Sequence, residues 1–150
     1  MVLGVGNILL KDDGLGPLVV RQLQEFYKSP DVTFLDGGTL GLDLLAYLEG
    51  YSCLLVIDAL DIGQEPGSIF CWQGKTLQGL SQQVSFHQVG LKELFHAARL
   101  LELDLEIVVM GIQAEDLSWG LELSETVQNA VPLLEEAVIN RIRQYLDTEF

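Results

Sequence analysis

The sequence is poor in positive charge. Its 150 residues contain 8 lysines and arginines against 22 aspartates and glutamates, which gives a formal net charge of -14 at pH 7. A chain with this balance repels a phosphate backbone instead of displacing its counterions. The composition therefore argues against nucleic acid as a partner, and against an anionic membrane surface for the same reason.

The sequence also predicts no targeting or membrane-spanning segment. The first ten residues are apolar, but no basic region precedes them and no small-residue cleavage site follows. Asp12 and Asp13 come too early in the chain for a spanning segment. We therefore expect a cytoplasmic protein with no membrane partner.

Cysteine is scarce, and the familiar hydrolase motifs are absent. Cys53 and Cys71 lie in apolar, strand-like runs without metal-binding spacing, which predicts two small buried side chains with reduced thiols. No H-E-x-x-H or G-x-S-x-G motif occurs, and neither cysteine has a histidine placed by sequence to activate it. An ordinary hydrolase site is not indicated.

What the chain does contain is enough apolar sequence for one domain, which we place at residues 1–150. Hydrophobic residues make up 49% of the chain, and short apolar runs alternate with amphipathic stretches, a pattern typical of an α/β fold with a parallel sheet covered on both faces. The predicted strands are Val2–Gly6, Val32–Asp36, Cys53–Ala59, Ser68–Trp72 and Glu106–Ile112. Because a turn at Gly63–Gly67 is too short for a crossover, Ser68–Trp72 is predicted to run antiparallel at an edge.

Three stretches have helical spacing. One follows the first strand and begins after Gly16-Pro17, and a second starts near Leu91. The last lies near the C-terminus, with Ser124 as its predicted N-cap and a kink expected near Pro132.

The glycines from Gly4 to Gly16 suggest a nucleotide-binding loop, but the pattern fails. Leu9 stands where G-x-G-x-x-G needs a small residue, and Asp12 and Asp13 precede the helix where a phosphate would bind. Two carboxylates favour a cation instead. We interpret the glycines as bringing the strand end close to a partner's backbone, with a nucleotide-binding α/β module as an alternative.

Acidic residues follow three predicted strands at the edge where open α/β sheets bind ligands: Asp13, Asp36 and Asp58. Each has a structural alternative. Asp58 is a candidate cap for loop amides or for the next helix, and Asp12 and Asp13 are candidates for helix-start residues, which for Asp12 is the better interpretation.

One histidine adds nitrogen to this oxygen-rich set. His87 precedes an amphipathic helix whose positive end favours a neutral imidazole that can bind a metal. His96 lies about half a turn out of phase at 3.6 residues per turn, and we assign it a surface or packing position. Two carboxylates and one imidazole suit nickel, zinc or manganese. Because three ligands make a modest site, we expect no tightly bound metal in the isolated protein.

Four motifs in order resemble the hydrogenase maturation endopeptidases, the nickel-dependent processing proteases of nickel-iron hydrogenase. They are Gly4-Val5-Gly6-Asn7 through Asp12-Asp13-Gly14-Leu15-Gly16, Asp36-Gly37-Gly38-Thr39 with Gly41, Asp58-Ala59, and His87-Gln88 with Gly90-Leu91. The resemblance implies a three-layer α/β/α sandwich whose five-stranded, mostly parallel sheet has the order 2-1-3-5-4, with strand 4 antiparallel. It also implies that Asp13, Asp58 and His87 form the metal site and the catalytic centre.

The function implied by this resemblance is a single cut near the C-terminus of the hydrogenase large-subunit precursor, made after nickel insertion, with the nickel supplied by the substrate. Gly37, Gly38 and Thr39 are predicted to hold the substrate tail through backbone groups, although a strand-to-helix turn also explains them. Asp36 is predicted to position substrate or a ligand. A non-catalytic nickel carrier with the same ligands is an alternative, and the acidic surface fits a monomer that meets a large partner transiently.

Overall fold

Five strands form one mixed sheet in the computed structural model, which describes residues 1–74 and 91–149. The strands are β1 (Val2–Val5), β2 (Phe34–Gly38), β3 (Cys53–Leu60), β4 (Ile69–Gln73) and β5 (Glu106–Gln113). Their order is β2-β1-β3-β5-β4, and β4 pairs antiparallel with β5 at the edge while the other pairs are parallel. Both the order and the antiparallel edge strand confirm the prediction.

Helices cover both faces of the sheet and complete the predicted three layers. They are α1 (Leu15–Phe26), α2 (Leu91–Leu100) and α3 (Glu125–Glu149), with 3₁₀ turns at Lys11–Gly14 and Gly41–Tyr47. One apolar core lies between the sheet and α1 with α3, and a second lies between the opposite face and α2 with the turn Gly41–Tyr47. Among the described residues, no helix is both long and apolar enough to cross a bilayer.

Several boundaries and positions differ from the prediction. β2 continues through Gly38, because Val5 of β1 pairs with it, so both glycines after Asp36 belong to the strand. α1 begins at Leu15, three residues earlier than predicted, because a proline in the first helical turn lacks only an N–H that would have no intrahelical partner. Both cysteines were predicted to be buried. Cys71 is exposed instead, because it lies on edge strand β4, of which no residue is fully buried, and Cys53 is half-buried.

The C-terminal helix follows its predicted start. The hydroxyl of Ser124 accepts a hydrogen bond from the Val127 amide at 3.4 Å, which confirms the N-cap. α3 continues through Pro132 to Glu149, and a kink at the proline stays a prediction. His96 is exposed on α2, as assigned.

The first and the last glycine of the opening motif serve the protein's own packing. A Cβ atom on Gly4 would overlap the carbonyl oxygen of Gly16, and one on Gly16 would overlap the carbonyl oxygens of Val5 and Ile57. The absence of side chains thus lets the start of α1 lie directly on β1 and β3. Our interpretation that these glycines approach a partner's backbone is wrong for Gly4 and Gly16.

Candidate functional site

The carboxyl ends of the central strands place two predicted site residues on either side of β1. Gly4 of β1 pairs with Asp36 on β2 and with Ile57 on β3, so Asp36 and Asp58 flank the end of β1. Asp13 lies between β1 and α1, in the 3₁₀ turn Lys11–Gly14 that leads into α1. Parallel strands therefore bring these acids to one edge of the sheet, as predicted.

Asp58 is the most unusual residue at this edge. Asp58 is fully buried within β3. Neither of its carboxylate oxygens has a hydrogen bond of ordinary geometry among the described residues. Burial raises the pKa of Asp58 well above its usual value, the nearby charge of Asp13 raises it further, and the backbone N–H of Ala59 lowers it in part. The predicted alternative, a carboxylate that caps loop amides, requires well-formed hydrogen bonds to loop amides, and Asp58 makes none in the described part of the chain.

Asp13 lies at the same edge of the sheet as Asp58, but its carboxylate accepts a hydrogen bond from a backbone amide. It is 5% exposed, and the Asn7 amide donates to its Oδ2 at 2.8 Å, which fixes the carboxylate against the end of β1. Its charge acts on Asp58. Two buried carboxylates in electrostatic contact favour a cation or a shared proton between them.

The histidine of the predicted set, His87, lies outside the described residues. Within residues 1–74 and 91–149, no group of three or more histidine, cysteine, aspartate or glutamate side chains is placed to hold one metal ion. The described part of the site therefore offers the oxygen ligands of Asp13 and Asp58, which suit a hard or borderline divalent cation.

Asp36 belongs to a separate arrangement. Its carboxylate accepts hydrogen bonds from Arg21 of α1 at 2.9 Å and from the Gly38 amide at 3.1 Å. Because side chains alternate along a strand, Asp36 shares the face of Phe34, which packs in the core beneath α1, whereas Asp58 shares the opposite face with Val56. Arg21 was not predicted as a partner of Asp36, because its only sequence signal is a cation on α1 in an acidic chain.

A cleft of about 280 Å³ opens beside Asp36. It is lined by Gly6, Asn7, Ile8, Pro17, Arg21, Asp36, Gly38 and Thr39. The Gly38 N–H donates to Asp36, and its carbonyl accepts from the Gly6 amide at 2.9 Å, so both backbone groups of Gly38 are occupied within the fold. Thr39 is exposed, whereas Gly37 is buried against Leu3. A substrate role for Asp36, Gly37, Gly38 and Thr39 stays a prediction.

Asp12 has a structural role, as the sequence favoured. It does not cap its own helix, however. It is completely buried, and its carboxylate accepts hydrogen bonds from the amides of Glu115, Asp116 and Ser124 at 2.7–2.9 Å, and from the Ser124 hydroxyl at 2.9 Å. It therefore ties the segment between β5 and α3 to the turn that carries Asp13.

An exposed ion pair supports the same connection. Lys11 contacts Asp116 at 2.6 Å, and this hydrogen bond, with two more from Ser118, holds the pKa of Asp116 well below its usual range. The backbone of Lys11 has a φ of 43°, which a lysine rarely adopts. Neither Asp116 nor Ser124 was recognised as part of the site region, because no local sequence signal joins them to Asp12.

Comparison with known proteins agrees with this fold. The family model HycI, described as hydrogenase maturation protease, matches residues 17–141. The chain is 40% identical to the hydrogenase expression/formation protein HupD of Bradyrhizobium diazoefficiens over 87% of this chain and 71% of that protein. It is 32% identical to the hydrogenase 2 maturation protease of Escherichia coli over 96% and 90% of the two chains.

Solved structures give the same result. The hydrogenase maturating endopeptidase HybD of Escherichia coli superposes with a TM-score of 0.88 at 32% identity, covering 96% of this chain and 91% of that one. A hydrogenase maturation protease HycI from Thermococcus kodakarensis superposes with a TM-score of 0.75 at 27% identity, covering 91% and 87%. The chain therefore belongs to the hydrogenase maturation proteases, and it is an endopeptidase that acts in hydrogenase maturation.

Proposed function

We propose that this protein removes the C-terminal extension of a nickel-iron hydrogenase large-subunit precursor after nickel insertion, and that it recognises the nickel bound in that precursor. The protein acts as a monomer in the cytoplasm, with residues 1–150 as one domain. Asp13, Asp58 and His87 are the proposed ligands of the substrate's nickel and form the catalytic centre.

The observation that carries this proposal is the buried carboxylate of Asp58. Among the described residues its oxygens have no hydrogen bond of ordinary geometry, the Ala59 backbone offsets the effect of burial only in part, and the group beside it is another carboxylate, Asp13. Burial of an ionised carboxylate is costly unless a cation or hydrogen bonds compensate it. A divalent ion that arrives with the substrate supplies the missing positive charge at the moment when recognition is needed.

The nickel then has two routes to peptide hydrolysis. It polarises the scissile carbonyl, or it lowers the pKa of an attacking water molecule. In either route the chain's own residues orient the ion, and the Asn7 amide holds Asp13 in place for that task. Because the ion belongs to the substrate, we expect the isolated protein to retain no tightly bound metal.

The cleft beside Asp36 is the proposed site of the substrate tail. It contacts the metal-binding region through Asn7, which lines the cleft and donates its amide to Asp13. Arg21 and Asp36 pair on its wall, and Thr39 is exposed at its rim. Gly37 and Gly38 keep the end of β2 against β1, so they shape the cleft.

Two other functions make different demands on the site. A nickel carrier with the same ligands would bind the precursor without shortening it. A nucleotide-binding module would need phosphate near the start of α1, where Asp12 and Asp13 are buried. The negative charge of these two residues disfavours that alternative.

Asp13→Asn tests the proposal directly. We expect this variant to process the nickel-loaded precursor at least about 100-fold more slowly, because loss of a direct ligand should exceed the 10–100-fold effect of outer-shell changes. The measurement is the mass of the large subunit as a function of time. Asp104→Asn, which makes the same change at an exposed residue beside the opposite edge of the sheet, should process at the wild-type rate. An Asp13→Asn variant with wild-type kinetics contradicts the assignment.

A further inference from the structure

Four large apolar side chains are exposed beside the candidate site. Ile8 and Leu9 follow β1 and are 46% and 47% exposed, and Trp119 and Leu121, between β5 and α3, are 76% and 78% exposed. We call these four residues the apolar surface. Contiguous exposed apolar side chains commonly mark an interaction site, and tryptophan is enriched among the residues that dominate binding energy.

Backbone pairing holds the two halves of the apolar surface together. The Gly120 amide donates to the Leu9 carbonyl, and the Lys11 amide donates to the Gly120 carbonyl, both at 2.9 Å. Leu10 and Gly120 form an isolated parallel bridge. Trp119 and Leu121, the neighbours of Gly120, therefore lie next to Leu9 and Lys11 although more than a hundred residues separate them in sequence.

The segment that presents Trp119 and Leu121 is fixed at both ends. Asp12 accepts the amides of Asp116 and Ser124, and Lys11 pairs with Asp116. An ordered backbone that exposes large apolar side chains loses little further conformational entropy when a partner binds. This preorganisation favours a binding role for the apolar surface.

The apolar surface is continuous with the cleft proposed for the substrate tail. Ile8 lines that cleft together with Thr39, and it also lines a second cleft of about 320 Å³ together with Leu121 and Leu18. Arg21 lies between the two clefts and lines both. A chain whose tail occupies the first cleft would therefore contact Ile8, which also belongs to the apolar surface.

Charge around the apolar surface identifies the chemistry of its partner. Glu115, Glu122 and Glu125 are exposed in the same region, whereas the nearby cations Lys11 and Arg21 are already paired with Asp116 and Asp36. The surface is thus apolar with an acidic border. Its complement is an apolar segment flanked by lysine or arginine side chains.

We propose that the apolar surface is the docking surface for the body of the hydrogenase precursor, which binds through an apolar segment with basic neighbours. This inference rests on the proposed function and adds a contact that does not depend on nickel. A second copy of this chain fits less well, because its own acidic border would face an identical one.

The test measures how tightly the nickel-free large-subunit precursor binds to the wild-type protein and to the double variant Trp119→Gln/Leu121→Gln. We expect the dissociation constant to rise at least about 30-fold in the double variant, as typical of losing a central tryptophan with its neighbour. With the nickel-loaded precursor, KM should rise by a similar factor while kcat stays within about twofold. The control Leu101→Gln changes a leucine that is 61% exposed elsewhere and should bind like wild type.

Each outcome separates the two proposals. Wild-type affinity in the double variant, with an unchanged thermal unfolding midpoint, overturns the docking surface and leaves the proposed function standing. A wild-type protein that binds the precursor through Trp119 and Leu121 but never shortens it supports the docking surface and contradicts the proposed function. A wild-type protein that binds no precursor overturns the docking proposal, and so does self-association that the double variant abolishes.

Discussion

Replacing Asp58 with asparagine is expected to abolish processing of the precursor and, at the same time, to stabilise the folded protein at neutral pH. The amide has nearly the same shape as the carboxylate but carries no charge, so it removes a proposed nickel ligand together with an uncompensated buried charge. The proposed site, in which the cation arrives with the substrate, therefore predicts that function and stability change in opposite directions.

The stabilisation has a defined pH dependence. Because the pKa of Asp58 in the folded protein lies well above its usual value, the folded state binds more protons than the unfolded state once the pH exceeds the unfolded-state pKa of about 4. The free energy of unfolding of the wild type therefore falls as pH rises from about 4 through the folded-state pKa. Asparagine does not titrate, so the advantage of Asp58→Asn should grow across the same window and then stay constant.

Thermal unfolding between pH 5 and pH 8 measures this effect. A gain of about 1 kcal/mol corresponds to roughly 2–4 °C in Tm for a chain of this size, and we expect at least that much at pH 8. Asp104→Asn, at an exposed position, should show no comparable gain. A less stable Asp58→Asn variant at pH 8 would mean that the carboxylate is compensated by its own protein.

Replacing Asp12 with alanine is expected to destabilise the protein by about 3–5 kcal/mol. The carboxylate is fully buried and accepts four hydrogen bonds from Glu115, Asp116 and Ser124. Hydrogen bonds to charged groups contribute about 1.5–3 kcal/mol each, and donors left unpaired inside the protein add to the loss, although such terms are not additive. The segment 115–124 should separate from the turn Lys11–Gly14.

Chemical denaturation of Asp12→Ala measures the loss, with Asp104→Ala as the control for removing an exposed aspartate. The Tm should fall by about 10 °C. Hydrogen exchange should show the amides of Asp116 and Ser124 losing protection before the strands do. A loss below about 1 kcal/mol would contradict the connecting role of Asp12.

Sequence patterns predicted most of the fold because each strand carried its own signal. The run at Cys53–Ala59 is apolar enough to be a buried central strand, and the short turn before Ser68 required an antiparallel neighbour. β2 ended later than predicted because Gly38 is held by pairing with Val5, a tertiary contact that outweighs the low strand preference of glycine.

The site was predictable only in part. Strand order brings Asp13 and Asp58 to one edge, which general rules for parallel sheets anticipate. The assignment of Asp36 to the opposite face depends on strand register, and its partner Arg21 depends on how α1 packs. The partners of Asp12 lie 103 to 112 residues away, and no local pattern encodes contacts at that distance.

The most direct test of the central claim is to incubate the wild-type protein with nickel-loaded and nickel-free forms of the same large-subunit precursor and to measure the product masses. If Asp13 and Asp58 recognise the substrate's nickel, only the nickel-loaded precursor should lose a C-terminal fragment. The remaining N-terminal part of that precursor should stay uncut. Equal shortening of both forms, or no shortening of the nickel-loaded form, would contradict it.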